Sequence, residues 1–164
     1  MGLDMYLYAE RYIWSDEKQR SNEILDALDI DEEMVSGRGN IYVRVPVGYW
    51  RKANAIHNWF VEQVADGVDN CEENRVAVGQ LEKLRDTCKT VLAARVNQGE
   101  PVTEGVSQKP RLLPVAEGFF FGSYEYDEYY YQSLEDTVRI VDNCLALNAR
   151  KEHRGLEFIY RASW

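Results

Sequence analysis

Two stretches of this chain carry side chains whose types and spacing could hold or transform a ligand. The first is Tyr49-Trp50-Arg51-Lys52-Ala53-Asn54-Ala55-Ile56-His57-Asn58-Trp59-Phe60, with two cations, two amides, an imidazole and four aromatic rings in twelve residues. Cations of this kind attract phosphate or carboxylate, and flat rings stack on bases or other planar groups. Arg51 and Lys52 are candidate phosphate partners, and Trp50 and Trp59 candidate stacking rings. Asn54, His57 and Asn58 could read polar edges. His57 has two readings: a core histidine with satisfied nitrogens, or a pocket group able to donate or accept a proton. The whole segment also reads as a core helix with snorkelling cations.

The second stretch is Gly118-Phe119-Phe120-Phe121-Gly122-Ser123, continuing through Asp127 and Glu128 to Tyr129-Tyr130-Tyr131. Gly122-Ser123 before a helix is a plausible anion-cradling turn, and Ser123 is equally an ordinary helix N-cap. Phe121 and Tyr130 are further stacking candidates. Asp127 and Glu128 could pair with Arg51 or Lys52, coordinate a cation, serve as acid or base beside His57, or simply begin a solvated helix. The tyrosine run is too dense for one helix face, so some of its rings should be exposed. The run matches no phosphate-loop or dinucleotide pattern, and no cofactor is expected.

Charge is unevenly spread. The 164 residues hold 19 Lys and Arg against 28 Asp and Glu, a net −9. Yet Met34 to Val61 contains no acid, and Arg38, Arg44, Arg51 and Lys52 give it +4. A basic zone on an acidic body suits a small phosphorylated ligand better than a polymer. The overall sign argues against duplex nucleic acid and anionic membrane as partners. With 11 Tyr, 5 Phe and 4 Trp, the chain is too aromatic to be a disordered acidic tail. Cys71, Cys88 and Cys144 are odd in number and widely spaced, with no CxxC, so free thiols in a reducing cytoplasm are expected and structural zinc is not. The start, Met1-Gly2-Leu3-Asp4-Met5, has neither the basic nor the apolar region of a secretory signal, and Tyr6 stands where a myristoylation start wants Ser or Thr.

The elements that must position these groups follow from periodicity. Leu3–Trp14 alternates and is rich in Tyr, which predicts a strand. Ser15-Asp16-Glu17 announces a helix carrying Ile24, Leu25 and Leu28. Ile41, Val43, Val45 and Val47 alternate with Tyr42, Arg44 and Pro46, a strand ending near Pro46. Tyr49, Ala53, Ile56, Phe60 and Val64 form one stripe at helical spacing, which predicts a helix over 49–65 with Arg51 and Lys52 in its first turn. There the two cations oppose the helix dipole unless an anion offsets them. Gly79–Asn97 and Tyr124–Ala149 are two more amphipathic helices, and Leu156–Ala162 is a last strand. Between them, 98–118 holds three Pro and three Gly and reads as a long loop. The expected fold is a single α+β domain over 1–164. In it a small antiparallel sheet of the N-terminal, 41–47 and C-terminal strands packs on three to four helices.

The blocks Gly2-Leu3-Asp4-Met5-Tyr6-Leu7, Val47-Gly48-Tyr49-Trp50-Arg51-Lys52-Ala53-Asn54-Ala55-Ile56-His57-Asn58-Trp59-Phe60-Val61, Gly118-Phe119-Phe120-Phe121-Gly122-Ser123 and Ala162-Ser163-Trp164 resemble a family of small bacteriophage and prophage proteins. That family has no assigned reaction, so no catalytic residue carries over. The resemblance implies an accessory protein of the infected cell's cytoplasm, of the kind that counters host defence by sequestering nucleotide signals or blocking a defence protein. Three readings stay open. The first is a binding protein for a small anionic, nucleotide-like ligand. The second is an acidic inhibitor or nucleic-acid mimic directed at a host protein. The third is an enzyme on a nucleotide metabolite, with His57 and Asp127 or Glu128 as acid and base. A homo-oligomer is compatible with each.

Overall fold

A computed structural model describes residues 2–35, 41–97, 112–116, 125–150 and 155–164. Its strands are β1 (Asp4–Ile13), β2 (Ile41–Arg51), β3 (Asn74–Val76) and β4 (Leu156–Ser163). Its helices are α1 (Lys18–Ala27), α2 (Asn54–Gln63), α3 (Val78–Asn97) and α4 (Glu128–Asn148). The strands form one antiparallel sheet in the order β2-β1-β4-β3, so the two chain ends lie side by side at its centre. This is the expected α+β fold.

Period-two patterning decides the faces of the sheet. Leu3, Met5, Leu7 and Ala9 turn inward with Phe158, Tyr160 and Ala162 of β4 and Val76 of β3. The core forms where this face meets Ile56 and Phe60 of α2, Leu81, Leu84 and Cys88 of α3, and Leu134, Val141 and Cys144 of α4. Phe60 and Tyr160 stack at 3.9 Å with their planes 7° apart. Leu113, in the described part of the long connection, is buried in the same core. Helix α1 stands apart: it buries only Ser21 and Leu25, and neither belongs to that cluster.

Strand β2 departs from expectation. It does not stop at Pro46 but runs to Arg51, and Tyr49, Trp50 and Arg51 are strand residues rather than the start of a helix. They pair with Tyr6, Met5 and Asp4. The register shifts so that Leu7 faces Gly48 while Tyr8 faces Pro46, which leaves Val47 as an inserted residue. The bulge explains how one strand can point both Val45 and Trp50 inward although they stand an odd number of positions apart. Pro46 is tolerated because β2 is an edge strand. The strand then breaks at Lys52, which takes a left-handed φ of 55° while its N–H donates to the Leu3 carbonyl at 2.7 Å. Only after that turn does α2 begin. Strand β3 was not expected: three residues carry no periodic signal.

Candidate functional site

The corrected end of β2 changes what the first candidate segment can do. Arg51 and Lys52 do not sit in the first turn of a helix, so no dipole opposes them. Both are exposed, and among the described residues neither makes an ion pair. Arg44, Arg85, Arg95 and Arg139 are, by contrast, each engaged by a carboxylate. The stem of Lys52 passes over Gly2, where a Cβ would stand 3.2 Å from Lys52 Cε. That packing fixes where the cation leaves the surface.

Beside Arg51 lies a cleft of about 220 Å³ between the end of β2 and the first turns of α4. Tyr49, Trp50, Arg51 and Ala53 form one wall, and Tyr129, Gln132, Ser133 and Asp136 the other. Tyr49 and Tyr129 are about half exposed, and they are the rings this cleft offers. The hydroxyl of Tyr49 donates to Asp4 Oδ1 at 2.5 Å. That bond to the carboxylate, with burial adding to it, raises the phenol's pKa. The Tyr129 hydroxyl donates to the Arg51 carbonyl, which ties α4 to the free edge of the sheet. Asp136, on the far wall, is paired with Arg139 at 2.8 Å.

The other expected site residues fall elsewhere. Trp50 is only 4 % exposed, in the core, with its indole N–H donating to Thr137 Oγ1 at 2.9 Å. Trp59 packs edge-on against Phe60 at 5.4 Å and is buried. Tyr130 is buried with its hydroxyl donating to the Leu113 carbonyl at 2.8 Å. These three rings are packing groups and offer no free face to a ligand. Tyr131, the next in the run, lies under Arg95 at 4.1 Å. Asn54 is buried at the head of α2, where its Oδ1 accepts from the Ala116 N–H at 3.4 Å. Asn58 is half-buried. Phe121, Gly122 and Ser123 lie outside the described residues. The N-cap of α4 is Asp127, not Ser123: its Oδ1 accepts from the Tyr130 N–H at 2.9 Å. Glu128 is taken by Arg95 at 2.5 Å. So Asp127 and Glu128 pair with neither Arg51 nor Lys52.

His57 is 2 % exposed and has a partner at each nitrogen. Nε2 lies 3.1 Å from Asp69 Oδ2 and Nδ1 lies 2.8 Å from the Tyr160 hydroxyl. An ionised carboxylate can only accept, so Nε2–H donates to Asp69, and in the neutral imidazole Nδ1 then accepts from the Tyr160 hydroxyl. Desolvation, then the neighbouring Asp69 and Cys71, raise the Tyr160 pKa well above its usual value, which keeps that hydroxyl protonated. The imidazole therefore ties the 66–73 loop to β4, and it is the satisfied core histidine of the two readings.

The basic zone also thins out in space. Arg38 is outside the described residues. Arg44 is neutralised by Glu10 and Glu73, so of the described members only Arg51 and Lys52 are uncommitted. A small hollow of about 20 Å³ at the start of α2 includes Lys52 but also Glu125 and Asp127, and it is too small to take an anion. Tyr49 and Tyr129, like Gln132, Ser133 and Asp136, are wall residues that the sequence did not single out as ligand contacts. The signal for Tyr129 was the overcrowded tyrosine run, which had to expose some of its rings. Three thiols are free, with Cys88 and Cys144 buried and Cys71 half-buried. No group of three or more metal-ligating side chains gathers among the described residues, and no described helix is long and apolar enough to cross a membrane. Compared with family models, curated proteins and solved structures, the chain matches none.

Proposed function

We propose that this chain is a binding protein for a small anionic ligand with a planar ring, of nucleotide-like chemistry, held in the cleft between the end of β2 and the start of α4. One observation carries this reading: Arg51, a cation with no ion pair among the described residues, lines a cleft whose walls include the half-exposed Tyr49 and Tyr129, and Lys52 is the next residue along the chain. A phosphate would take the guanidinium in two-pronged fashion, and the ring would lie on a tyrosine face. The cleft is smaller than most drug-sized sites, which favours a mononucleotide-sized ligand with part of its surface left in water. His57 supports binding over turnover, because both its nitrogens are already engaged inside the core. Sequestration of a nucleotide signal in a phage-infected cell is the role that the sequence resemblance adds to this proposal.

A thermal-shift panel of linear and cyclic nucleotides, with inorganic phosphate alongside, tests it. A ligand present at about a hundred times its Kd adds roughly 2.7 kcal/mol to stability, a clear shift in Tm. The shift should vanish in Arg51→Ala and Tyr129→Ala, whose side chains are exposed enough to remove without unfolding the chain. No stabilisation by any nucleotide overturns the reading. So does a shift that Arg51→Ala leaves unchanged.

A further inference from the structure

Helix α4 gives the cleft four residues, Tyr129, Gln132, Ser133 and Asp136, whose spacing of i, i+3, i+4 and i+7 puts them on one helix face. Most polar groups along the cleft are already used inside the protein. The Ser133 hydroxyl donates to the Tyr130 carbonyl at 2.7 Å. The Tyr49 and Tyr129 hydroxyls donate to Asp4 and to the Arg51 carbonyl, and the Trp50 indole N–H donates to Thr137. Two side chains of α4 are left. Gln132 is exposed, and among the described residues its carboxamide has no hydrogen-bond partner. Asp136 engages one oxygen, Oδ1, with Arg139.

That pair leaves the carboxylate able to accept more. It is a single contact between residues three apart on one helix, and the Arg139 side chain is 66 % exposed. Exposed pairs of this kind contribute little free energy, and a carboxylate has about four lone-pair sites. The cleft is therefore two-ended. Arg51 supplies a cation on the sheet side. On the helix side Gln132 supplies an amide and Asp136 an acceptor-only group, one turn apart, a spacing of roughly 5–6 Å between Cβ atoms. A ligand that suits both ends carries an anion at one end. At the other it carries hydrogen-bond donors beside an acceptor.

We infer, resting on the reading of this cleft as a nucleotide site, that it selects guanine, with Gln132 and Asp136 as the specificity-determining residues. Guanine alone among the common bases sets two donors side by side, N1–H and the exocyclic amino group, with the O6 acceptor next to them. The two donors meet the Asp136 carboxylate, and the Gln132 amide donates to O6. Adenine has a lone pair on N1 where guanine has N1–H. It would face the carboxylate acceptor to acceptor, and a desolvated acceptor without a donor costs affinity. Uracil has a single N–H between two carbonyl oxygens, and cytosine has an amino group beside an acceptor nitrogen, so neither offers the carboxylate adjacent donors.

Isothermal titration calorimetry of the full chain with the monophosphates of guanosine, inosine, adenosine and xanthosine tests this. Guanosine monophosphate should bind tightest, and inosine monophosphate, which lacks the exocyclic amino group, more weakly. Adenosine monophosphate should bind about tenfold or more below guanosine monophosphate, the scale of one two-pronged base contact. Asp136→Asn puts a donor where an acceptor stood, which suits the oxo group that xanthine carries in place of guanine's amino group. It should weaken guanosine monophosphate about tenfold and strengthen xanthosine monophosphate by a similar factor. A merely structural role for Asp136 would not produce that exchange. Gln132→Ala should weaken guanosine and inosine monophosphates together and leave adenosine monophosphate unchanged. Equal affinities for guanosine and adenosine monophosphates, both lost in Arg51→Ala, would overturn the choice of guanine and leave the nucleotide site standing. A guanosine preference that survives Asp136→Asn, with no gain for xanthosine, would overturn Asp136 as the reader. Binding of none of the four overturns the nucleotide reading and this inference with it.

Discussion

Arg44 and Glu73 come from the two opposite edges of the sheet, yet their side chains meet in a two-pronged ion pair of 2.5 and 2.6 Å. Arg44 belongs to β2 and Glu73 precedes β3, so the pair reaches across the outer face, with the guanidinium over the Tyr8 ring at 5.0 Å. Beneath it Arg44 also binds Glu10, a carboxylate only 4 % exposed. The two partners should therefore respond differently to mutation. Glu73→Gln removes a half-exposed charge and should cost no more than about 1 kcal/mol. Arg44→Met strands Glu10 without a counter-charge and should cost about 3–5 kcal/mol. Adding Glu10→Gln to Arg44→Met should recover most of that. A urea-unfolding double-mutant cycle reads both numbers, and equal costs for Glu73→Gln and Arg44→Met would show that Glu10 has no need of the arginine. The hydrogen bond from Arg44 lowers the Glu73 pKa, against desolvation and with help from Arg161. Its contribution is thus fully present above the unfolded carboxylate pKa of about 4.3 and is lost as pH falls through the lower folded value.

Tyr160 and Tyr130 should mark the alkaline limit of the fold. Burial raises both phenols above their usual value; Asp69 and Cys71 add to it at Tyr160, and Tyr126 and Tyr131 at Tyr130. A raised folded pKa means that the unfolded chain loses its protons first. Stability from these two groups is therefore intact below about pH 10 and declines as pH rises beyond it. Phenolate absorbance in an alkaline titration, with circular dichroism alongside, reads this limit. The Tyr160 and Tyr130 signals should appear together with loss of near-ultraviolet circular dichroism. Tyr160→Phe should leave the Tyr130 step in place and free the His57 imidazole from one partner. Ionisation of every tyrosine before any unfolding would contradict the buried network.

Much of this architecture can be read from the chain, and the places where it cannot share a cause. Tyr6, Tyr8 and Tyr12 alternate with Met5, Leu7 and Ala9, and that period of two alone places β1. Leu81, Leu84, Cys88, Val91 and Leu92 do the same for α3 at helical spacing; the first four are buried and Leu92 is half-buried against the core. The end of β2 was hidden because Tyr49, Ala53, Ile56 and Phe60 also fit a helix. A short apolar run satisfies both periods, and the pairing partners Asp4 and Tyr6 decide between them only once the chain has folded. The same ambiguity misled the site. Trp50 and Trp59 look like free rings beside cations, but an inserted Val47 turns Trp50 into the core. Burial of a ring depends on bulge parity that no local pattern shows. Arg51 and Lys52 stayed exposed, since a cation at the end of an edge strand has nowhere better to go. Arg44 looked like their companion, and its neutralisation by Glu10 and Glu73 is a long-range fact.

Cysteine chemistry should single out one thiol. Burial pushes the Cys88 thiol up to about 12 and the Cys144 thiol up to about 11, so at neutral pH both stay protonated and shielded. Cys71 is half-buried in the loop that Asp69 ties to His57, and it takes a left-handed φ of 59°. Iodoacetamide at neutral pH should modify Cys71 in the native protein, and Cys88 and Cys144 only after denaturant is added. Peptide mass mapping distinguishes the three sites. His57→Ala, which unties that loop, should speed Cys71 labelling without exposing the other two. Equal labelling of all three thiols in the native state would mean that α3 and α4 open far more readily than their packing implies.

Gly48 is the residue on which the inner end of β2 turns. It is buried opposite Leu7, immediately after the inserted Val47. A Cβ there would stand 2.7 Å from Ile140 Cγ2, 3.1 Å from Trp50 Cη2 and 3.2 Å from Leu7 Cβ. The requirement is for space, set by α4 pressing on the sheet, rather than for an unusual backbone angle. Gly48→Ala should thus cost about 1–3 kcal/mol through overpacking. Because Ile140 makes the closest contact, the cost should shrink when Ile140→Ala is already present, even though that change itself leaves a cavity. The two substitutions should couple by more than about 0.5 kcal/mol in a denaturation cycle, as residues in direct contact do. Gly48→Ala should also move Trp50 and with it the wall of the cleft, so nucleotide-induced stabilisation should fall in the single mutant and return in the double. A Gly48→Ala penalty of the same size with and without Ile140 would remove α4 as the reason for the glycine.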